Sequence, residues 1–265
     1  MKFDIIDKSG KKVGDYEFKV TEDVREDIFK KAVTSESSLF RQAHGASTEA
    51  GRRQVINVSK RRKKFRGTYG KGISRTPRKS MWRRGLQLRF VGAFAPNTVG
   101  GRKAHPPKAN KVILKDMNNK EWLKALKIGV CASFNKELVA DNGQRVPANY
   151  PFVLDESVET LAKTKDVKEF LDKAGLAEEV ERTSIVKVRA GKGTMRNRTY
   201  KVKRGPLVVV SSIEAPLLKA VRNVKGFDVV TPELLMVSDF GMSVKPGRAV
   251  IFSKAALDEF VEVLN

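Results

Sequence analysis

The residue types that carry most enzyme chemistry are scarce in this sequence. Its 265 residues include one cysteine, Cys131, and two histidines, His44 and His105. Both histidines lie in a stretch rich in lysine and arginine, without an adjacent carboxylate that would orient an imidazole as a general base. Cys131 lies in an apolar stretch and is expected to be a small buried side chain. We therefore predict no catalytic residue, no disulfide and no metal site.

Glycine-rich phosphate-binding loops are also missing from the sequence. Residues 191–194, GKGT, are similar to the end of a P-loop, but Val186 stands where the first glycine belongs. Gly193 replaces the Ser or Thr that would bind magnesium. After the apolar run Leu207–Val210 the chain lacks the glycine-rich turn of a dinucleotide-binding fingerprint. The sequence therefore predicts no cofactor.

Basic residues are the abundant chemical group. The chain has 53 Lys and Arg against 30 Asp and Glu, for a formal net charge of +23. Residues 41–111 hold 20 basic residues and one acid, Glu49, and residues 187–204 hold eight basic residues and no acid. The remaining 176 residues sum to −4. Two segments are therefore predicted to neutralise a polyanion, and nucleic acid is favoured over an anionic membrane surface.

The segment 41–111 has the composition of a strand that becomes ordered on RNA. Its apolar residues show no sustained period of 2 or 3.6, and glycines and prolines interrupt it throughout. Aromatic residues, among them Phe65, Tyr69 and Trp82, are interleaved with arginines. Basic side chains contact phosphates, while aromatic rings and guanidinium planes stack on unpaired bases. The alternative is a flexible basic insertion without fixed structure.

The elements around this segment must form the domain that carries it. Alternating apolar residues on both sides of a Ser9-Gly10 turn predict a β-ribbon at the start of the chain. A helix is predicted over 22–33, with Thr21 as its cap, and another over 120–136, which contains Cys131.

The C-terminal half alternates short apolar runs with helical patterns. The runs that predict strands lie at 207–210, 227–230 and 249–252. Helices are predicted at 165–174 with Thr164 as cap, at 216–222, after the start Thr231-Pro232-Glu233, and after Ser253 with Ala256, Leu257, Phe260 and Val263 facing inward.

This alternation predicts an α/β fold, layered, with a mostly parallel sheet flanked by helices. We expect residues 1–40 and 112–265 to form a single globular α/β domain, with residues 41–111 inserted as a long extended basic loop. The N-terminus lacks the apolar stretch of a signal peptide, and no apolar run approaches a membrane span. A cytoplasmic protein without a membrane partner is expected.

Three motifs give the chain a family resemblance. Residues 100–108, GGRKAHPPK, close the basic segment; residues 188–204, VRAGKGTMRNRTYKVKR, precede the Leu207 strand; and residues 245–253, KPGRAVIFS, precede the last helix. These motifs resemble the archaeal and eukaryotic branch of the large-subunit ribosomal protein L4 family. The resemblance covers nearly the whole chain. It is weakest at 59–94, which is richer in Lys and Arg and longer than the family pattern.

The resemblance implies a structural, non-enzymatic constituent of the large ribosomal subunit. Its implied partners are large-subunit rRNA and neighbouring large-subunit ribosomal proteins. The family's long loop supports assembly and lines part of the nascent-peptide exit tunnel, which implies a loop tip near Gly70–Arg78 that lies close to the nascent peptide.

Two other functions stay open from the residues themselves. One is an RNA-modifying or nucleotide-dependent α/β enzyme with a basic RNA-guiding arm, which specific nucleotide binding by the domain would favour. The other is a sequence-indifferent polyanion binder, from which DNA would displace rRNA at comparable concentration.

Residue roles follow from the resemblance together with side-chain chemistry. Phosphate contacts are assigned to Arg52, Arg53, Lys60, Arg61, Arg62, Lys63, Lys64, Arg66, Arg83 and Arg84. Base stacking is assigned to Phe65, Tyr69 and Trp82. A second RNA face is assigned to Arg196, Arg198, Lys201 and Arg204, and the return of the loop to His105. Further rRNA contacts are assigned to Lys71, Arg75, Arg78, Lys79, Arg102, Lys103, Lys108 and Lys192.

Overall fold

The chain folds as two units in the computed structural model, which describes residues 1–56, 58–85 and 87–264. The first unit, called here the α/β domain, comprises Met1–Phe40 and Leu114–Asn265. The second, called here the basic unit, comprises Arg41–Ile113. Each unit has its own internal contacts and is described separately below.

The helices and strands, in chain order, are β1 (Lys2–Ile6), β2 (Lys12–Glu17), α1 (Glu26–Leu39), β3 (Arg78–Arg84), β4 (Gln87–Gly92), α2 (Asn119–Phe134), α3 (Lys136–Asp141), β5 (Phe152–Leu154), α4 (Glu156–Glu159), α5 (Thr164–Lys173), α6 (Ala177–Ser184), β6 (Lys187–Val188), β7 (Tyr200–Lys201), β8 (Leu207–Val209), α7 (Pro216–Arg222), β9 (Asp228–Val230), β10 (Val250–Ser253) and α8 (Lys254–Leu264). Short 3₁₀ segments lie at Gly191–Arg196, Pro232–Leu234 and Val237–Phe240.

A six-stranded sheet with the order β2-β1-β5-β10-β8-β9 forms the centre of the α/β domain. Strand β2 is antiparallel to β1, and every other neighbouring pair is parallel. Parallel neighbours need crossover connections, which the helices between successive strands supply. The prediction of a layered α/β fold with a mostly parallel sheet is confirmed.

Side chains of the central strands alternate between the two faces of the sheet, as the strand pleat requires. Leu207 and Val209 enter one core, in which Phe29 of α1, Leu126 of α2 and Phe260 of α8 are also buried. Val208 and Val210 enter a second core with Phe170 of α5 and Leu217 of α7. The strand segment 207–210 is therefore apolar throughout because helices cover both faces of the sheet.

The structure corrects the N-terminal helix predicted over 22–33 with Thr21 as its cap. Helix α1 begins at Glu26 with Arg25 at the N-cap position and ends at Leu39. Its inward stripe runs from Phe29 through Ala32 and continues to a buried Glu36, so burial extends the helix past residue 33.

Three details of the C-terminal half are also corrected. Thr164 is the first residue of α5, and Lys163 occupies the cap position. The start at Thr231-Pro232-Glu233 gives only a 3₁₀ turn, because Leu235 adopts an extended backbone and is buried in the first core. Val263 is 54% exposed, and Leu264, one turn beyond Phe260, takes the inward position in α8.

Within residues 1–56, 58–85 and 87–264, no helix is both long and apolar enough to cross a bilayer.

Candidate nucleic-acid interface

The two arms of the basic unit lie side by side where the segment begins and ends. The amide of Ala46 donates to the carbonyl oxygen of Pro107 at 2.9 Å. A Cβ atom on Gly45 would lie 2.4 Å from the backbone nitrogen of Ala109, and one on Gly51 would lie 2.5 Å from that of Arg102. Any larger residue at either glycine would push the two backbones apart. The glycines of this segment therefore permit the close pairing of its two arms.

Strands β3 and β4 form an antiparallel hairpin in the basic unit. Its register runs from the pair Arg78–Gly92 to the pair Arg84–Gln87, and the ring of Trp82 is 48% exposed. The sequence pattern did not predict this hairpin, because basic residues on both faces hide the alternation of a half-buried strand. The hairpin carries Arg78, Lys79, Arg83, Arg84 and Arg89.

A tight loop presents the densest basic run of the chain. A bridge between Ser59 and Gly67 closes it, and the amide of Gly67 donates to the carbonyl oxygen of Lys64 at 3.1 Å. The five side chains of 60–64 between these ends are exposed. Lys63 and Arg66 adopt positive φ angles of 53° and 62°, which turn the backbone sharply. Successive cations therefore leave the loop in different directions, an arrangement suited to several phosphates at once.

Phe65 connects this loop to the hairpin. The guanidinium carbon of Arg83, on β3, lies 4.8 Å from the centre of the Phe65 ring, and that of Arg66 lies 5.5 Å from it. The ring is 45% exposed. Cation–π contact therefore brings together three of the residues predicted to bind rRNA.

The segment between loop and hairpin uses some of its own arginines internally. Arg75 donates to the Tyr69 hydroxyl at 3.3 Å, and its guanidinium carbon lies 5.6 Å from the Tyr69 ring centre. Arg78 donates to the Ser74 hydroxyl at 2.7 Å and to the Ser74 carbonyl oxygen. Gly70, with φ of 73°, turns the backbone with no neighbouring atom within 4 Å of a Cβ position. Both predicted contact residues Arg75 and Arg78 thus shape this segment.

The second basic segment, 187–204, folds as a small ladder in the α/β domain. Strands β6 and β7 pair through Val188–Tyr200, and the 3₁₀ segment Gly191–Arg196 forms their connection. Arg189 donates to the carbonyl oxygen of Arg198 at 3.1 Å and closes the ladder. The predicted contact residues Lys192, Arg196, Arg198 and Lys201 are exposed.

Arg204, at the end of this segment, is drawn into the domain. Its guanidinium donates to the Gly241 carbonyl oxygen at 3.0 Å and lies 3.4 Å from the Asp228 carboxylate. Arg182 donates to the Arg204 carbonyl oxygen at 2.8 Å, and fully buried Glu179 holds Arg182 at 2.6 Å. Arg204 therefore anchors the second basic segment to the fold, and its side chain remains 36% exposed.

A buried arginine completes this anchor. Arg248 donates to the Gly205 carbonyl oxygen at 2.7 Å and to the Asp228 carboxylate at 2.6 Å. Burial, together with the smaller effect of the neighbouring Arg204, lowers the pKa of Arg248 to about 10. The ion pair with Asp228 offsets part of the cost of burying this charge.

Carboxylates, rather than glycines, stand at the edge of the sheet where parallel α/β folds bind nucleotides. Asp7 follows β1 and Asp155 follows β5, and hydrogen bonds from Ser157 lower the pKa of both carboxyls. Beyond β8, the Glu159 carboxylate accepts from the amide of Ser211 at 3.0 Å and from its hydroxyl at 2.6 Å. These negative charges would repel a nucleotide phosphate.

Cys131, the GKGT residues and clusters of His, Cys, Asp or Glu are the groups that could support catalysis or bind a metal ion. Cys131 is buried, and burial raises the pKa of its thiol. Gly191–Arg196, the GKGT region, is a 3₁₀ turn of the ladder and not the start of an α-helix. Within the ranges that the structure describes, no group of three or more His, Cys, Asp or Glu side chains could hold a metal ion.

The remaining predicted contact residues lie along the two arms and the segment between them. Arg52, Arg102 and Lys103 line one cavity of the basic unit, and Arg53 lines a neighbouring depression. The side chains of Lys71, His105 and Lys108 are exposed.

Sequence reasoning missed some functional candidates. Arg89 lies on β4 among the hairpin's basic residues, and the ring centre of Phe94 lies 5.9 Å from the guanidinium carbon of Arg102, a residue that was predicted. Tyr200 is 63% exposed beside Lys201 on β7. The interleaving of aromatic and basic residues that marked 41–111 also marks 187–204, and it was the signal that could have identified Tyr200.

Comparison with known proteins gives consistent matches. The model of the ribosomal protein L4/L1 family matches residues 17–263. The chain is similar to large ribosomal subunit protein uL4 of Nanoarchaeum equitans, with 39% identity over 91% of this chain and 90% of that protein. It is 32% identical to uL4 of Saccharolobus solfataricus, over 100% of this chain and 95% of that protein. It is 34% identical to uL4 of Halobacterium salinarum, over 91% and 90%.

Proposed function

Because the chain belongs to the ribosomal protein L4/L1 family, we propose that its two basic segments, 41–111 and 187–204, are its rRNA-binding surfaces. The chain is a structural constituent of the large ribosomal subunit that binds rRNA, and it is not an enzyme. Its partners are large-subunit rRNA and ribosomal proteins, and as part of the subunit it belongs to the cytoplasm.

The observation that carries this proposal is the segregation of exposed positive charge. The segments 41–111 and 187–204 carry +19 and +8, whereas the rest of the chain sums to −4. Ribosomal RNA packs its helices closely only where cations neutralise the phosphates. A segment built from a thin hairpin and tight turns can lie between RNA helices that would exclude a domain with a core.

Within the segments, we propose two kinds of contact. The exposed cations of 60–64, with Arg83 and Arg84, contact phosphates. Trp82 stacks on an unpaired base, whereas Phe65 and Tyr69, which already carry arginines on their rings, extend a base–arginine–aromatic stack. Arg196, Arg198 and Lys201 form the second rRNA face, which Arg204 anchors. The other assigned contacts are Arg52, Arg53, Arg66, Lys71, Arg75, Arg78, Lys79, Arg102, Lys103, His105, Lys108 and Lys192.

We also propose that Gly70–Arg78 is the part of the basic segment that lines the exit tunnel and meets the nascent peptide. The family resemblance supports this placement, and the open space at Gly70 and Gly72 leaves this backbone accessible. A photo-reactive amino acid in place of Ile73, introduced into assembled ribosomes, should cross-link to a stalled nascent chain. The same group in place of Ile213, exposed in the α/β domain, is the control. Equal cross-linking at both positions, or none at residue 73, would remove Gly70–Arg78 from the tunnel wall.

The salt dependence of rRNA binding tests the phosphate contacts. Replacing the five basic residues of 60–64 with Gln should weaken binding and reduce the slope of log K against log salt by up to about 0.9 for each lost contact. The measurement is filter binding of a large-subunit rRNA transcript over a salt series.

A matched control uses basic residues of the α/β domain. Lys165, Lys168 and Lys173 lie on the exposed side of α5, and their replacement with Gln should leave the slope unchanged. A slope that falls equally in both variants would indicate a sequence-indifferent polyanion binder. A slope that changes in neither would remove residues 60–64 from the interface.

A further inference from the structure

The basic unit contains a cavity whose charged lining residues are among the proposed rRNA contacts, but whose interior none of those contacts fills. The volume of the cavity is about 460 Å³, and residues 44–52 of one arm and 100–107 of the other form its walls. Small residues and prolines, including Gly51 and Pro106, make up much of the lining, and Arg52, Arg102 and Lys103 supply its positive charge. A cavity of this size is within the range that binds small organic ligands.

Hydrogen bonds hold the wall formed by residues 100–107 in a defined shape. The amide of Gly101 donates to the Thr98 carbonyl oxygen at 3.1 Å, and the amide of Arg102 donates to the Phe94 carbonyl oxygen at 3.2 Å. A Cβ atom on Gly101 would lie 2.1 Å from the Ala95 carbonyl oxygen, so only glycine permits this turn. Arg102 also lies against the Phe94 ring. Together these contacts fix the position of a cation at the cavity.

The lining fits one chemical class of occupant. Proline rings and glycine peptide planes offer flat, weakly polar surfaces against which an aromatic base can pack. The neighbouring cations match phosphates on either side of that base. Bases in a duplex are stacked and paired, and they cannot enter a cavity between two peptide arms without leaving the helix. The occupant must therefore come from unpaired RNA.

We propose that this cavity receives one unpaired nucleotide of ribosomal RNA, with its base between the two arms and its phosphates on Arg52, Arg102 and Lys103. The proposal rests on the rRNA-binding function above and specifies which part of the RNA this region takes. It assigns to the glycines of the arms a role in recognition, since the close backbone pairing that they permit shapes the walls of the binding site.

Filling the cavity without changing charge tests the proposal. Ala46→Leu and Ala50→Leu each add a branched side chain to the lining, and Ala43→Leu makes the same change outside it. Each full-length variant is titrated with a labelled single-stranded RNA of about 12 nucleotides and with the duplex of the same strand. Both filled variants should bind the single strand about tenfold more weakly, because one base loses its packing. Their duplex affinity and salt slope should equal those of the unaltered chain, because the phosphate contacts remain.

Cross-linking of the unaltered chain gives a second readout that is independent of variant folding. A single strand carrying 4-thiouridine should cross-link to peptides from both walls, within 44–52 and 100–107. Cross-links confined to other peptides would overturn the proposal, as would unchanged single-strand binding or equal losses for single strand and duplex. RNA binding as such would survive those results. Failure of the unaltered chain to bind either RNA would overturn the rRNA-binding surfaces and the cavity proposal together.

Discussion

The α/β domain and the basic unit use the same residue type in opposite ways. In the α/β domain, Arg248 is fully buried and satisfies carbonyl and carboxylate groups of the fold. In the basic unit, Arg61 and Arg62 face solvent, and most other arginines are at least partly exposed. A buried arginine of the domain therefore stabilises the protein itself, whereas an exposed arginine such as Arg61 or Arg62 is available to a partner.

Apolar burial differs as sharply between the two regions. The domain has a core on each face of its sheet. In the part of Arg41–Ile113 that the structure describes, Ala93 is the one buried hydrophobic residue. Ordering each residue of a chain costs about 1–2 kcal/mol of backbone entropy, and little apolar burial offsets it in the basic unit. RNA contacts are therefore expected to supply most of the free energy that orders this unit.

The largest expected effect comes from removing the buried guanidinium of Arg248. Arg248→Ala should lower the free energy of unfolding by about 3–5 kcal/mol, because it leaves a cavity in the domain and the Gly205 carbonyl oxygen without its donor. Urea unfolding followed by circular dichroism measures the change. Arg89→Ala, on the hairpin, should change stability by less than about 0.5 kcal/mol. Similar losses in both variants would show that arginines of the two regions contribute alike to folding.

Substitution of the buried acid Glu36 should also lower the free energy of unfolding, by less than Arg248→Ala. The Glu36 carboxylate accepts from the Trp122 indole at 3.0 Å and from the amides of Val237 and Ser238 at 2.8 and 2.9 Å. Glu36→Gln should lower the free energy of unfolding by about 1.5–3 kcal/mol, because hydrogen bonds to a carboxylate are replaced by weaker bonds to a neutral amide. Glu49→Gln changes the exposed acid of the basic unit and should leave the urea midpoint in place. A shift of the urea midpoint in Glu49→Gln would show that the basic unit contributes to folding.

Backbone strain introduced at Gly85 in the hairpin should weaken RNA binding and leave the stability of the domain unchanged. Gly85 has a φ of 56°, a conformation that costs an alanine about 1–2 kcal/mol. Gly85→Ala should therefore weaken rRNA binding by about tenfold and leave the melting temperature of the domain unchanged. Gly14→Ala in β2 is the control, since its Cβ would make only an ordinary contact with Ile5 at 3.8 Å. Unaltered rRNA affinity in Gly85→Ala would show that the hairpin contributes little to binding.

We propose that residues 1–40 and 112–265 fold as one domain, and the smallest expected effect tests whether the segment Gly70–Arg78 of the basic loop contributes to its folding. Deletion of Gly70–Arg78 should leave the melting temperature within about 1 °C. Cys131 provides a second measure, because its buried thiol has a raised pKa and should react slowly with a thiol reagent until the domain unfolds. Faster thiol modification or loss of cooperative melting after the deletion would make the loop part of the domain's folding unit.

Local signals predicted the domain best where capping chemistry and burial agree. Helix α7 begins at Pro216 and ends at Arg222 as predicted, because a proline suits the first helical turn and Leu217, Ala220 and Val221 are buried together. Ser253 accepts from the amide of Ala256 at 3.3 Å, as its predicted capping role requires. Where the capping pattern and the burial pattern conflict, burial determines the structure. Thr231-Pro232 predicts the start of a helix, but the buried position of Leu235 limits it to a 3₁₀ turn.

The basic unit and short elements were harder to predict. Strand β5 has three residues, which is too short for a periodic pattern. Basic residues at successive positions of β3 hide the alternation of the hairpin, and the cavity depends on close pairing of arms that are far apart in sequence. The basic composition nevertheless indicated RNA, because charge is a property of the segment and does not depend on its detailed conformation.

The carboxylates at the sheet edge have a consequence for competition among anions in the cell. Nucleoside triphosphates are small, abundant and strongly negative, and many parallel α/β folds hold them at this edge. In this chain such a molecule would meet Asp7, Asp155 and Glu159, two of which hydrogen bonds keep in their charged form. We therefore expect free nucleotides to bind the α/β domain weakly and to compete little with rRNA for this chain.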